Sequence, residues 1–347
     1  MVNPLAEDLD HILDKTTDLW DEVRGQTIFI TGGTGFFGCW LLESFIWIND
    51  HLNLGASAVV LTRNPNAFKS RVPHLALHPS IRLLEGDVRS FSFPKGSYPF
   101  VIHAATDASA SLNEEDPLLM FDTVVNGTRR VLEFASSHGA RKFLLTSSGA
   151  VYGKQPATIT HIPEDYMGAP DPLDPNSAYG EGKRAAELLC SIYAKTFGIE
   201  MKIARCFAFV GPYLPLDSHF AIGNFIRNAI MNKPIVVKGD GSPLRSYLYA
   251  ADLAVWLWTI LFLGKSGRAY NVGSSEIIAI AELAKDISQK VSPKVTVKFD
   301  QADTILSRNN NFIPSTAKAE KELNLRVLIN RSDGINKTIN WRKIGED

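Results

Sequence analysis

The stretch from Gln26 to Ile48 restricts the fold more than any other. Gln26 to Thr31 is short and rich in β-formers, GGTGFFG follows at 32 to 38, and the strongly apolar CWLLESFIWI comes next. Strand, tight glycine turn and helix is the implied order. Gly32, Gly35 and Gly38 then fall where backbone amides can approach a pyrophosphate at a helix N-terminus, whose polarity favours negative charge. A glycine trio alone is a weak signal, equally at home in a plain strand-to-helix turn. The elements that bracket this one make it a dinucleotide signal. Phe36 and Phe37 border the same cofactor position, and packing is the role their rings suit best.

Strands and helices alternate from there. SAVVLTR at 57 to 63, SIRLLEGD at 80 to 87, FVIHAAT at 100 to 106, KFLLTSS at 142 to 148 and MKIARCF at 201 to 207 read as strands. Helices are predicted from about Pro117 to His138 and from Tyr179 to Phe197. Continuous apolar strands separated by helices indicate a parallel sheet covered on both faces. The expected fold is therefore α/β: a doubly wound, Rossmann-like parallel sheet with a smaller, discontinuous C-terminal substrate domain. Residues 1–24 form an N-terminal helical extension. Residues 25–207, joined by 245–272, make the nucleotide-binding domain, and 208–244 with 273–347 make the second. In that second part PIVVKG and RSYLYA read as short strands around the turn GDGSP at 239 to 243, and LAVWLWTILFL at 253 to 263 reads as a buried helix.

Composition excludes several functions. The 347 residues carry 36 basic and 37 acidic side chains, so no basic surplus points to nucleic acid. Cys39, Cys190 and Cys206 lie far apart without metal-ligand spacing, and no metal is expected. The acidic N-terminus lacks the basic and apolar regions of a secretion signal, and no run is long enough to span a bilayer. A cytoplasmic protein without membrane contact is expected.

The chemistry is carried by five places in the chain. At the end of the second strand Thr62, Arg63 and Asn64 stand where an NAD-preferring protein commonly offers a carboxylate to the adenosine ribose. An arginine there accommodates a 2′-phosphate, so NADP(H) is favoured, with NAD(H) as the alternative. Asp87, followed by Val88, is placed either to accept from the adenine amino group or to cap its turn. Ala104 and Ala105 allow close passage of backbone and cofactor, while His103 reads as a satisfied residue rather than an acid or base. Tyr179 and Lys183, at i and i+4 in SAYGEGKRAAE, share one helix face. A phenol with a reference pKa of about 10 is a poor base near neutrality, and a neighbouring ammonium stabilises its phenolate. Such a tyrosine can exchange a proton with the oxygen at a carbon that exchanges hydride. Lys183 also suits the nicotinamide ribose, and Ser148, at a strand end in TSSGAVYG, suits the substrate oxygen.

With these residues in place the chain resembles the extended short-chain dehydrogenase/reductase family of nucleotide-sugar epimerases, dehydratases, decarboxylases and reductases. The likeness runs from about Gln26 to Gly273. It includes the three glycines, HAA at 103 to 105, Asn126 in NGT, Ser148 to Gly153, the Tyr179/Lys183 pair, GPY at 211 to 213 and RSYLYAAD at 245 to 252. The resemblance implies a nicotinamide ring over a hexose C4 and a nucleoside-diphosphate sugar as partner. It further implies that Asn224 and Phe225 contact the nucleotide sugar, that Arg245 binds its diphosphate, that Ser148 and Tyr179 hold the sugar, and that the protein is a homodimer. Two departures stand out. Family 4,6-dehydratases carry an Asp-Glu pair before the valine of VYG, where this chain has Gly149 and Ala150, and Ala208 replaces a usual asparagine. Glu164 and Asp165 read as a solvated loop beside the cleft. A 4-ketoreductase of a nucleotide 4-keto-6-deoxyhexose is the leading expectation because of the NADP pattern. A 4-epimerase with tightly held cofactor and, behind it, a nucleotide-uronate decarboxylase are the alternatives.

Overall fold

Strand residues alternate between two buried faces, and that accounts for the uninterrupted apolar runs. The computed structural model describes residues 3–106, 110–218, 220–300 and 311–344. Its main sheet contains β1 (Thr27–Thr31), β2 (Ser57–Thr62), β3 (Ile81–Glu85), β4 (Phe100–His103), β5 (Lys142–Ser148), β6 (Glu200–Cys206) and a later strand, β11 (Arg268–Val272). The order across the sheet is β11-β6-β5-β4-β1-β2-β3, and every pairing is parallel. Reversal of the chain's direction of travel at β1 opens a crevice beside β4 at the carboxyl ends of the strands, the place where such sheets bind ligands.

Helices cover both faces. Phe29, Val101, Phe143 and Leu145 pack with α6 (Pro117–Ser137) and α7 (Ala178–Phe197) on one side. Ile28, Ile30, Ile102 and Leu144 pack on the other with α2 (Phe36–His51) and α9 (Ala250–Leu263). Helix α9 is buried along almost its whole length, as a helix apolar on every side must be. The longest of the described helices, α6, begins at Pro117, with Asp116 accepting from the Leu119 amide at 2.9 Å to cap it. Smaller helices α3 (Pro65–Arg71), α4 (Pro73–Ala76) and α5 (Ala110–Glu115) fill the loops between.

The smaller C-terminal region contains α8 (Ala221–Ile230), α10 (Ile280–Gln289), α11 (Ala317–Leu323) and α12 (Arg331–Ile344) around short strand pairs. The segments flanking GDGSP do not pair with each other. β8 (Ile235–Lys238) runs parallel to β13 (Val297–Asp300), and β9 (Leu244–Arg245) runs antiparallel to β12 (Ile278–Ala279). β7 (Phe209–Val210) pairs with β10 (Leu248–Tyr249). No described helix is long and apolar enough to cross a membrane.

The N-terminal extension is fastened to the body. Helix α1 (Ala6–Thr16) lies against α2 and α9, and two 3-10 turns, Thr17–Leu19 and Asp21–Val23, replace the single longer helix that its apolar pattern implies. Asp8 is buried, accepts from the Tyr249 hydroxyl at 2.6 Å and pairs with Lys337 of α12 at 3.0 Å. Trp40 is also internal and donates to the Pro212 carbonyl at 2.9 Å, while Trp47 is half-buried and donates to Asp10 at 3.0 Å. Asp8→Ala strands the buried Tyr249 hydroxyl and takes one of two carboxylates from Lys337, which keeps Glu7 at 2.6 Å, so urea titration is expected to show a loss of about 1 to 3 kcal/mol. A change below ~0.5 kcal/mol would mean that α1 is held by its apolar face alone.

Candidate active site

At the head of β1 the backbone is crowded enough to demand glycine. Gly32 has φ +71°, and a Cβ there would stand 2.3 Å from the Ala104 carbonyl oxygen. A Cβ on Gly38 would stand 2.2 Å from the Gly33 carbonyl carbon. Gly33, which the sequence pattern passes over, is equally confined, since its Cβ would meet Val60 Cγ1 at 2.5 Å. Gly35 differs: its nearest neighbour would be the Gly32 carbonyl oxygen at 3.5 Å, an ordinary contact. It occupies the N-cap position of α2, whose first-turn amides have no partners within the helix. The result is a cradle with amides at its floor and room above Gly35, suited to a dinucleotide's pyrophosphate. Phe36 and Phe37 pack inward, Phe37 edge-on to Phe209 with ring centres 5.0 Å apart.

The other cofactor positions line the same edge. Ala104 and Ala105 follow β4, and the Ala105 amide donates to Thr31 Oγ1 at 3.2 Å. Thr62 is buried at the end of β2 and accepts from the Asn64 amide at 3.3 Å, while Asn64 Oδ1 accepts from the Ala67 amide at 2.9 Å and caps α3. Of the three residues expected at a 2′-phosphate, Arg63 and Asn64 are exposed and Thr62 is buried. Asp87 is gripped by Arg89, with Nε at 2.9 Å on one oxygen and Nη2 at 3.0 Å on the other, and this pairing holds its carboxyl below the usual range. Val88 packs towards Gly127 on α6, where a Cβ would come within 2.9 Å of it.

Tyr179 and Lys183 share the inward face of α7, the Lys183 ammonium 5.8 Å from the centre of the phenol ring. Lys183 Nζ donates to Thr106 Oγ1 at 2.9 Å and to the Thr146 carbonyl at 2.8 Å. Burial pushes the Tyr179 phenol up to about 12, and the Ser148 side chain bonded to it opposes the rise. Burial pulls Lys183 down to about 8, so it still carries its charge at neutrality. Ser148 Oγ accepts from the Ala150 amide at 3.1 Å, which fixes the hydroxyl at the strand end. Phenol, hydroxyl and ammonium thus meet at one point beside the cradle, where a substrate oxygen can be bound and a proton exchanged.

His103 is structural. It bonds Thr31 Oγ1 at 2.7 Å and Thr128 Oγ1 at 3.0 Å, and complete burial lowers its pKa from 6.5 to about 3. The unfolded chain therefore binds the extra proton between those two values. Stability from this group is full above pH 6.5 and falls as pH drops towards 3. Denaturation at several pH values is expected to show a slope of up to about 1.4 kcal/mol per pH unit in that window, flattened in His103→Gln. An unchanged slope would place the acid sensitivity elsewhere.

The residues expected on the sugar and diphosphate side fare unevenly. Asn224 Nδ2 donates to the Ser218 carbonyl at 2.8 Å and so ties down the loop before α8. The Phe225 side chain lies in the main core, 4% exposed, which leaves its backbone to face a ligand. Arg245 is largely enclosed, and its Nη1 donates to the Leu244 carbonyl at 2.9 Å. Tyr213 turns towards α2, where its hydroxyl donates to Glu43. Glu164 is not solvated as expected: burial raises its pKa, and it accepts from the Asn271 amide at 2.8 Å. It borders a polar network behind β5 that the sequence does not announce. Arg205 is bidentate to Glu187 (2.7 Å at its closest), donates to the Tyr152 hydroxyl at 2.9 Å, and Ser147 donates to Glu187 at 2.6 Å.

Beside Ser148 the room for a side chain is taken. A Cβ on Gly149 would lie 2.6 Å from the Phe312 ring and 2.8 Å from the Phe207 ring, and these two rings pack with centres 4.6 Å apart.

The parallel sheet, glycine cradle and Ser148–Tyr179–Lys183 cluster together define a nicotinamide-dependent enzyme of the short-chain dehydrogenase/reductase type. The chain belongs to the NAD dependent epimerase/dehydratase family, whose model matches residues 28–273. UDP-glucuronic acid decarboxylase 1 of Arabidopsis thaliana is 32% identical over 311 residues, covering 89% of this chain and 68% of that protein. UDP-glucuronic acid decarboxylase 2 of the same plant is 30% identical, with 80% of this chain and 59% of that protein covered. Among solved structures, UDP-glucuronic acid 4-epimerase from Bacillus cereus, in complex with UDP-glucuronic acid and NAD, has a similar fold. Its TM-score is 0.78 at 22% identity, with 92% of this chain and 99% of that one covered. The similar solved folds whose cofactor is named hold NAD or NADH, and this corrects the expectation of NADP(H). The physical reason is local: Asn64 spends its Oδ1 on the Ala67 amide, Thr62 accepts from the Asn64 amide, and the Asp87 carboxylate lies close enough to feel the Arg63 charge, so a second negative group is disfavoured there.

Proposed function

We propose that the chain is an NAD-dependent 4-epimerase of a nucleoside-diphosphate sugar, with UDP-glucuronic acid as the first substrate class to test. The observation that carries this reading is that Tyr179 is, among the described residues, the one proton-transfer group at the site. Tyr179 stands beside Ser148 and Lys183, while the neighbouring Gly149 position, where dehydratases of the resembled family carry an acid, is blocked by Phe207 and Phe312. Oxidation at C4 and its reversal need one acid/base; elimination of water across C5 and C6 needs more. The case for a net reductase rested on NADP(H) and loses that support.

Tyr179, as phenolate, takes the proton from the C4 hydroxyl and returns it to the same oxygen after the sugar ring has turned. Ser148 hydrogen-bonds that oxygen, and Lys183 stabilises the phenolate. NAD in the glycine cradle supplies a hydride acceptor at C4 that gives the hydride back, so the reaction consumes no reductant.

Likeness to the Arabidopsis decarboxylases supports a second reading, in which the C4 ketone, β to the C6 carboxylate of a uronic acid, lets carbon dioxide leave. Both begin with the same oxidation. Incubation of the NAD-bound protein with UDP-glucuronic acid and UDP-glucose, followed by NMR of the products, separates them. The C4 epimer with mass preserved is the expected result. Release of carbon dioxide with a UDP-pentose would establish the decarboxylase, and consumption of added reduced cofactor would establish a reductase.

The same proposal includes a homodimer. Leu118 on α6 and Leu188 and Ile192 on α7 are 71%, 62% and 49% exposed on adjacent helices, an apolar stripe that a second copy would cover. Replacing Leu188 and Ile192 together by glutamate is expected to give a monomer by light scattering; an unchanged mass would locate the interface elsewhere.

A further inference from the structure

Tyr179 is the second residue of α7, and that helix begins without a cap of its own. Ser177, at the N-cap position, makes no side-chain cap hydrogen bond, although the first-turn amides of any helix need acceptors. The acceptor for the Tyr179 amide comes from a distant part of the chain. Asn113, on α5, accepts that N–H through Oδ1 at 3.0 Å, and its Nδ2 donates to the Asn176 carbonyl at 2.7 Å. One carboxamide therefore grips the main chain on both sides of the junction between the 3-10 turn Pro175–Ser177 and α7. Thr106, seven residues before Asn113, holds Lys183 Nζ, so the chain that follows β4 reaches both members of the pair.

We propose that Asn113 is a positioning residue for the reaction: capping α7 from outside, it sets where the Tyr179 phenol stands relative to Ser148 and Lys183. This inference rests on the reading of Tyr179 as the acid/base. The phenol oxygen lies at the far end of a long side chain, so a small tilt of the first helical turn displaces it appreciably. A misplacement of ~1 Å in such a group costs on the order of 100-fold in rate. A cap that served stability alone would leave the reaction unaltered once the protein is folded.

The test uses the NAD-bound full chain and four variants, Asn113→Leu, Asn113→Ala, Asn113→Asp and Tyr179→Phe. The probes are UDP-glucuronic acid and UDP-glucose. The ionisation of Tyr179 is read without substrate as the phenolate absorbance of each protein minus that of Tyr179→Phe. Asn113→Leu is expected to lower kcat by about 10- to 100-fold with KM and NAD affinity within ~3-fold, and to move the Tyr179 ionisation to higher pH. Asn113→Asp, which still accepts from the Tyr179 amide, is expected to restore kcat to within ~5-fold of the parent and to return the ionisation to its place. Asn113→Ala replaces the leucine variant if that one does not fold, and the ionisation alone decides if neither sugar turns over. Parental kcat and ionisation in Asn113→Leu would overturn the proposal, as would a loss that aspartate fails to restore. Turnover in Tyr179→Phe would instead overturn the acid/base reading itself, whatever the Asn113 variants do.

Discussion

Replacing Tyr179 by phenylalanine is expected to cut turnover by about 1,000-fold while NAD stays bound, because the substitution removes one hydroxyl and leaves the ring's packing in place. That loss corresponds to about 4 kcal/mol of transition-state stabilisation. It is large because the described residues of the site offer no substitute. Ser148 is a neutral hydroxyl committed to the Ala150 amide, His103 is buried between two threonines, and Lys183 donates to Thr106 and Thr146. Rates of the variant and the parent, each saturated with UDP-glucuronic acid and with cofactor content measured after denaturation, provide the check. Activity within ~5-fold of the parent would remove Tyr179 from the proton transfer.

The second large effect separates two glycines three residues apart. Gly38→Ala is expected to destabilise the fold by about 3 kcal/mol and to abolish NAD retention, because the added methyl meets the Gly33 backbone and no rotamer relieves it. Gly35→Ala, with only an ordinary contact at 3.5 Å, is expected to cost less than ~1 kcal/mol. It should still weaken NAD binding by about tenfold or more, since the methyl enters the space through which the pyrophosphate passes. Thermal unfolding and cofactor titration on both variants provide the comparison. Undiminished NAD binding in Gly35→Ala would mean that the cradle lies elsewhere.

The parts of this protein legible in the sequence are those whose chemistry is local. A strand, a glycine turn and an apolar helix follow one another within some two dozen residues, and Tyr179 and Lys183 share a helix face by spacing alone. What the sequence hides has a different origin. Asn64 looked available to a phosphate, yet it precedes Pro65 and caps α3, so a local hydrogen bond took the side chain that function was expected to use. Phe225 sits among residues that meet only after α8 folds onto the core. Glu164 is withdrawn from solvent by Asn271, a partner more than a hundred residues away. Gly33 is confined by Val60 across the sheet, a crowding that no single segment records. The strands around GDGSP have the composition of a hairpin, but β12 and β13 outcompete that pairing.

The anchoring of α1 bears on the order in which the chain can become finished as it is made. Asp8 is made well before its partners, Tyr249 and Lys337, which lie in segments translated some 240 and 330 residues later. Until α12 has left the ribosome, the carboxylate cannot be enclosed with its charge matched, and α1 has reason to remain solvated. The main sheet also waits, since β11 pairs beside β6 only after the whole of α9 has been added. Closure of this enzyme therefore waits for α12, and a nascent chain stopped short of Lys337 carries an N-terminal helix whose Asp8 still lacks its charge partner.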